Sequence, residues 1–158
     1  MTSRKLFLFA LLFSAFGPAT HALADPPSND EHYTAEQLTA QGVFGPDHQS
    51  KFELWSGPGF RVQYNQRNGP GEVEVHVRIN DIFVIEEGHA TMILGGTVEG
   101  GRETAPNERR GGKIVDGHER ALSPGDVVWV PAGEPHQIIP SGNDAFRYEV
   151  IKVEARLQ

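Results

Sequence analysis

From Lys51 onward apolar residues recur at every second position, the repeat of strands with one covered face rather than of a helix. Phe52 and Leu54, then Phe60, Val62 and Tyr64, alternate with polar residues, with Ser56-Gly-Pro-Gly59 as the break between them. Beyond the Asn68-Gly-Pro-Gly71 turn, the spacing predicts one strand with Val73, Val75, Val77 and Ile79 on one face and Glu72, Glu74, His76 and Arg78 on the other. Ile82–Ile85 and Ala90–Leu94 are short apolar runs, closed by Glu86-Glu87-Gly88 and by Gly95-Gly96. Lys113–Val115 and Arg120–Leu122 flank an Asp116-Gly117 turn signal. Val127–Val130 reads as a buried strand between the turn at Pro124-Gly125 and the stop at Pro131-Ala-Gly133, and His136 opens the next run, Ile138-Ile139. The last strand sets Phe146, Tyr148, Val150 and Lys152 against Arg147, Glu149, Ile151 and Val153.

One helix is expected. Thr34 and Gln37 have capping-box spacing, which predicts a short helix over about Ala35–Gln41 closed by Gly42. The glycine-rich segment from Glu99 to Gly112, with Pro106 and scattered charge, reads as a mobile loop over the site, its Arg109-Arg110 pair suited to recruiting an anion, or else as a solvated insertion. Eight to ten short strands in one small domain imply a closed barrel or a double-sheet jelly roll.

A chain of 158 residues accommodates one domain with a real core. Residues 1–24 have the grammar of a secretory signal peptide: Arg4 and Lys5, the apolar stretch Leu6–Phe16, the break Gly17-Pro18 and the small-x-small site Ala22-Leu23-Ala24. That apolar stretch is far shorter than the roughly 20 residues a membrane span needs. The expected organisation is a leader with the short helix over residues 25–50 and a barrel over residues 51–158, exported to the periplasm or secreted and free of the membrane after cleavage. The chain has no cysteine, so disulfides, thiolate ligands and a cysteine nucleophile are excluded. Its formal net charge of −7 argues against nucleic acid as a partner, because phosphate binding needs a basic face.

Gly125, Pro131, Gly133 and His136 fit the second motif of the cupin superfamily (Gly, five residues, Pro-x-Gly, two residues, His) without a gap. The first motif (His-x-His, three or four residues, Glu, six residues, Gly) is matched with His76 in the first position, Arg78 in place of the second His, Asp81 in place of the Glu and Gly88 six residues on. Over roughly Phe60 to Val153 the chain therefore resembles a small cupin. The resemblance implies an all-β, double-stranded β-helix or jelly-roll barrel preceded by the one short helix. It also implies a homodimer that exchanges or pairs N-terminal strands.

Carried over by position, the resemblance makes His76, Asp81 and His136 candidate ligands for a divalent Fe, Mn or Zn ion, with no organic cofactor. Asn80-Asp81 is also what a plain turn would use, and His136 alone would suit a turn-stabilising role. Arg78, by strand parity on the face of His76, is a candidate anchor for a substrate carboxylate or the partner of an internal ion pair with Asp81, Glu74 or Glu72. His89 and His118 read as strand-end and loop residues. Two readings follow: a metal-dependent protein that oxidises or isomerises a small organic substrate, and a metal-free module that binds a carboxylate or sugar. A third, a barrel filled by side chains, would show no cavity.

Overall fold

The computed structural model describes residues 31–142 and 144–155, and the expected signal peptide lies outside the described residues. Thr34 and Gln37 form the reciprocal capping box, Thr34 Oγ1 accepting from the Gln37 amide at 3.2 Å and Gln37 Oε1 from the Thr34 amide at 2.8 Å. The helix they start, α1 (Ala35–Thr39), is shorter than expected and ends at Ala40 rather than at Gly42.

Thirteen strands follow among the described residues: β1 (Gln49–Gly57), β2 (Phe60–Arg67), β3 (Glu74–His76), β4 (Ile79–Glu87), β5 (His89–Leu94), β6 (Thr97–Glu99), β7 (Arg102–Ala105), β8 (Glu108–Arg110), β9 (Lys113–Val115), β10 (His118–Leu122), β11 (Val127–Val130), β12 (His136–Ser141) and β13 (Phe146–Glu154). They form a five-stranded sheet ordered β1-β2-β13-β4-β11, a six-stranded sheet ordered β10-β5-β12-β3-β8-β7 and a small β6-β9 pair, antiparallel throughout. Phe83, Ile85, Phe146, Tyr148 and Val150 of the first sheet meet Met92, Leu122 and Ile138 of the second in one apolar core. Each such side chain contributes about 1.5–3 kcal/mol on burial.

Three sequence expectations are corrected. The long strand from Val73 to Ile79 breaks at a turn over Val77-Arg78, so the alternation that set Arg78 beside His76 ends at His76. The segment 99–112 is an ordered ribbon, not a loop: β7 pairs with β8, and β8 pairs with β3. Polar residues on both sides of β7 hide the strand period, because that strand is exposed along its whole length. Finally, β11 is an edge strand, with Val127 and Trp129 outward and only Val130 fully buried.

The second-motif turns act through their backbones. Gly125 (φ 89°) and Gly133 (φ 85°) hold left-handed conformations that favour glycine. The Gly125 amide donates to the Ile85 carbonyl at 2.8 Å, and the Gly133 amide to the His76 carbonyl at 2.8 Å. The turn before His136 is thereby tied to the strand that carries His76.

Candidate functional site

Two residues apart on β3, Glu74 and His76 point to the same side of their sheet. The register sets His136 of β12 directly opposite Glu74. Across the barrel, Asp81 of β4 pairs with Lys152 of β13, which pairs in turn with Arg61 of β2. Six polar side chains from two sheets therefore converge on one end of the interior, lining a cavity of about 460 Å³.

One ligand atom each from Glu74, His76 and His136 lie within 4.8 Å of one another. Asp81 Oδ2 lies 3.4 Å from His76 Nε2 and 3.7 Å from His136 Nε2. His76, Asp81 and His136, singled out in the sequence, are thus brought together and buried. Arg78 is not: it is exposed in its turn and does not line the cavity.

Both imidazoles are held by their Nδ1 atoms. His76 Nδ1 lies 2.5 Å from Glu108 Oε2, the residue opposite it on β8, and His136 Nδ1 lies 3.2 Å from the Glu134 carbonyl. Each acceptor fixes the proton on Nδ1 and leaves the Nε2 lone pair facing the cavity, as in metal-ligating histidines. Three groups face His76 Nε2: the Lys152 ammonium, a donor only, at 3.1 Å, and the carboxylate oxygens Glu74 Oε2 at 3.2 Å and Asp81 Oδ2 at 3.4 Å. Burial pushes His136 below its ordinary value, which keeps the ring neutral at pH 7 and its lone pair available.

The carboxylates complete a set of acceptors. Burial alone would raise Glu74, but its contact with His76 and the charge of Arg110 hold it well below the usual carboxylate range. Arg110 lies opposite Glu74 on β8, with its Nη1 2.5 Å from Glu74 Oε1. Asp81 Oδ2 accepts from Lys152 Nζ at 2.6 Å, while Asp81 Oδ1 is buried without a hydrogen-bond partner among the described residues. Two imidazole lone pairs and two carboxylates facing one point fit a divalent ion, with Fe, Mn and Zn all compatible with such nitrogen and oxygen donors. Lys152 supplies a positive charge at that point in the structure described here.

Two of these residues were missed in the sequence, and each left a signal. Moving the first motif back two places gives Glu74-x-His76, four residues, Asp81, six residues, Gly88. That spacing meets the family pattern, with Glu74 in place of the first His and no part for Arg78. Lys152 was visible as the one charge in the series Phe146, Tyr148, Val150, Lys152, the inward face of β13.

Residues 114–157 match the AraC-like ligand binding domain family. A search of curated proteins returned no significant match. Among solved structures, the chain is similar to an uncharacterized conserved protein with a double-stranded beta-helix domain from Klebsiella pneumoniae, at 13% identity and a TM-score of 0.57, covering 81% of this chain and 99% of that one. It is similar to the cupin domain of Schizosaccharomyces pombe Cnp3 at 15% identity and a TM-score of 0.51, covering 68% of this chain and 66% of that one. It is also similar to a recombinant oxalate oxidase in complex with glycolate, at 17% identity and a TM-score of 0.52, covering 70% of this chain and 53% of that one. With the two-sheet barrel and the second-motif turns, these likenesses show that the chain has the double-stranded β-helix fold of cupin domains.

Proposed function

We propose that the barrel holds a divalent metal on Glu74, His76, Asp81 and His136 and that the protein acts on a small organic acid in the adjoining cavity, by oxidation or isomerisation. One observation carries this reading: both histidines keep their Nδ1 atoms on internal acceptors and turn Nε2 toward two carboxylates. A bound ion would supply Lewis acidity and, if redox-active, electron exchange. Glu108 and Arg110 orient His76 and Glu74 from outside the site. Arg61 and Lys152 line the cavity as cations able to anchor a carboxylate. The similarity to an oxalate oxidase in complex with glycolate supports a small carboxylate as the ligand. The signal-peptide grammar of residues 1–24 supports an exported protein, periplasmic or secreted.

Lys152 favours a second reading, a metal-free module in which its ammonium binds the carboxylate of a ligand. Metal analysis of untagged protein recovered from the periplasm separates the two. The metal reading predicts close to one divalent ion per chain, lost in His76→Ala and in His136→Ala. Substoichiometric metal, unchanged in both variants, would leave the metal-free reading.

A further inference from the structure

The β1–β2 side of the cavity holds a second polar group that the metal reading does not use. Gln49, Asn65, Arg67 and Tyr148 line the cavity there, on rows that the pairing sets side by side, Gln49 opposite Arg67 and Asn65 opposite Tyr148. All four are buried. The direction of each hydrogen bond among them is forced. A guanidinium can only donate, so the Gln49 atom 3.1 Å from Arg67 Nη2 is the carbonyl oxygen Oε1. The other atom, Nε2, is then a donor, 3.1 Å from Asn65 Oδ1 and 3.2 Å from the Tyr148 hydroxyl oxygen. Arg67 Nε donates to the same hydroxyl oxygen at 3.2 Å. That oxygen therefore accepts twice, which uses both of its lone pairs, and its own hydrogen has no acceptor among the described residues. Gly71 sets the guanidinium in place. A Cβ there would stand 2.8 to 2.9 Å from Cζ, Nη1 and Nη2 of Arg67, and the Gly71 amide and carbonyl are both held, by Ile138 and by Gln137.

We propose that this side of the cavity is a carboxylate subsite, with the Tyr148 O–H and the Arg67 guanidinium donating to the acid group of the ligand. The inference rests on the small-acid reading above and names where the acid is held. Charge argues for an anion over a neutral acceptor. Lys51, which lines the cavity from β1, interacts with Glu74, Arg110, Arg67 and, most weakly, Asp47. Three cations thus share two carboxylates, and a bound ion would draw on Glu74 as well. The cations elsewhere on the wall are already matched: Arg61 faces Glu53 at 3.8 Å and Lys152 faces Asp81 at 2.6 Å. Arg67 Nη2 lies 3.6 Å from Glu74 Oε1, so a carboxylate on Arg67 stands beside the metal cluster. Phe83 lines the cavity between them, its ring centroid 5.7 Å from that of Tyr148 and 5.8 Å from that of His136. The ligand that fits is a short acid with its carboxylate on Arg67 and Tyr148, its carbon part on Phe83 and its reacting atom toward His76 and His136.

The chain has three tyrosines, so tyrosine labelled with ¹³C at Cζ gives three signals, each reporting the hydrogen bonding of its own hydroxyl. The full exported chain is titrated in EDTA, where no ion can bind the probe itself, with acetate and separately with acetamide, which has nearly the same shape and no charge. The Tyr148 signal is assigned through Tyr148→Phe or, by elimination, through Tyr33→Phe and Tyr64→Phe. It should shift and saturate with acetate, at a dissociation constant of about 1–10 mM, and stay in place with acetamide. By isothermal titration Lys51→Met should weaken acetate binding roughly 2- to 5-fold, and folded Tyr148→Phe by about 10-fold or more. A Tyr148 signal unmoved by acetate, or moved as far by acetamide, overturns the proposal. Acetate binding that is the same in Lys51→Met and in folded Tyr148→Phe as in the wild type overturns it too. The two readings fail separately: a failed acetate titration leaves the number of ions per chain untouched, and a chain that holds no ion can still show the acetate shift.

Discussion

Lys152→Met removes the ammonium that sits against Asp81 and His76 where Glu74, His76, Asp81 and His136 converge. The ammonium lies 2.6 Å from Asp81 Oδ2 and 3.1 Å from His76 Nε2, so a divalent ion bound to those atoms must displace it. At an effective dielectric near 20, two unit charges about 4 Å apart repel by about 4 kcal/mol, and a doubly charged ion doubles that figure. The flexible lysine stem lets most of the repulsion relax by moving the ammonium along the cavity. A residue of about 1.5–3 kcal/mol remains, which is roughly a 10- to 100-fold gain in metal affinity for the variant. The metal-free variant should behave oppositely. Asp81, whose side chain is 1% exposed, loses its cation, and breaking such a pair costs about 3–5 kcal/mol. Isothermal titration with Mn²⁺ and Zn²⁺, paired with thermal melts, tests both halves. The melting temperature should fall below wild type without metal and recover most of the difference with it. Equal or weaker metal binding in the folded variant would refute this account of Lys152.

Glu108→Gln should keep the fold and weaken metal binding by about 10- to 100-fold, because it loosens the acceptor that orients His76; titration of the folded variant checks this. Glu149→Gln should raise thermal stability at pH 7, since burial, and after it the charge of Glu86, push the Glu149 carboxyl above its ordinary 4.5 and the fold favours its neutral form. The gain should be absent below about pH 4.5, grow as pH rises through the raised folded value and hold above it, as melts across pH would show. Arg78→Ala should leave ligand-induced thermal shifts unchanged, because Arg78 is exposed in the β3–β4 turn; loss of the shift would place Arg78 in the site after all.

The fold was legible because backbone chemistry writes it plainly. Gly125 and Gly133 occupy conformations that other residues resist, and they fix the spacing that brings His136 to the barrel interior. Period two held wherever a strand had one covered face, as in β13, and failed where it had none, as in β7. The Val127–Val130 run misled for a different reason: its outward side is apolar as well, so its composition looks like burial on both sides. In the site, His76, Asp81 and His136 could be singled out, but Glu74 was obscured by a two-residue shift in the motif. An alternation that seemed to continue through Arg78 in fact ends in a turn. Glu108 and Arg110 reach the site only through cross-strand register, which a single strand's pattern does not contain.

The central claim is tested most directly by anomalous diffraction at the metal edge, from crystals of the untagged protein grown with Mn²⁺ or Zn²⁺. The account predicts one peak within about 2.0–2.3 Å of His76 Nε2 and His136 Nε2, with Glu74 and Asp81 turned to it and Lys152 withdrawn. A map without that peak, with the Lys152 ammonium still between Asp81 and His76, would contradict it.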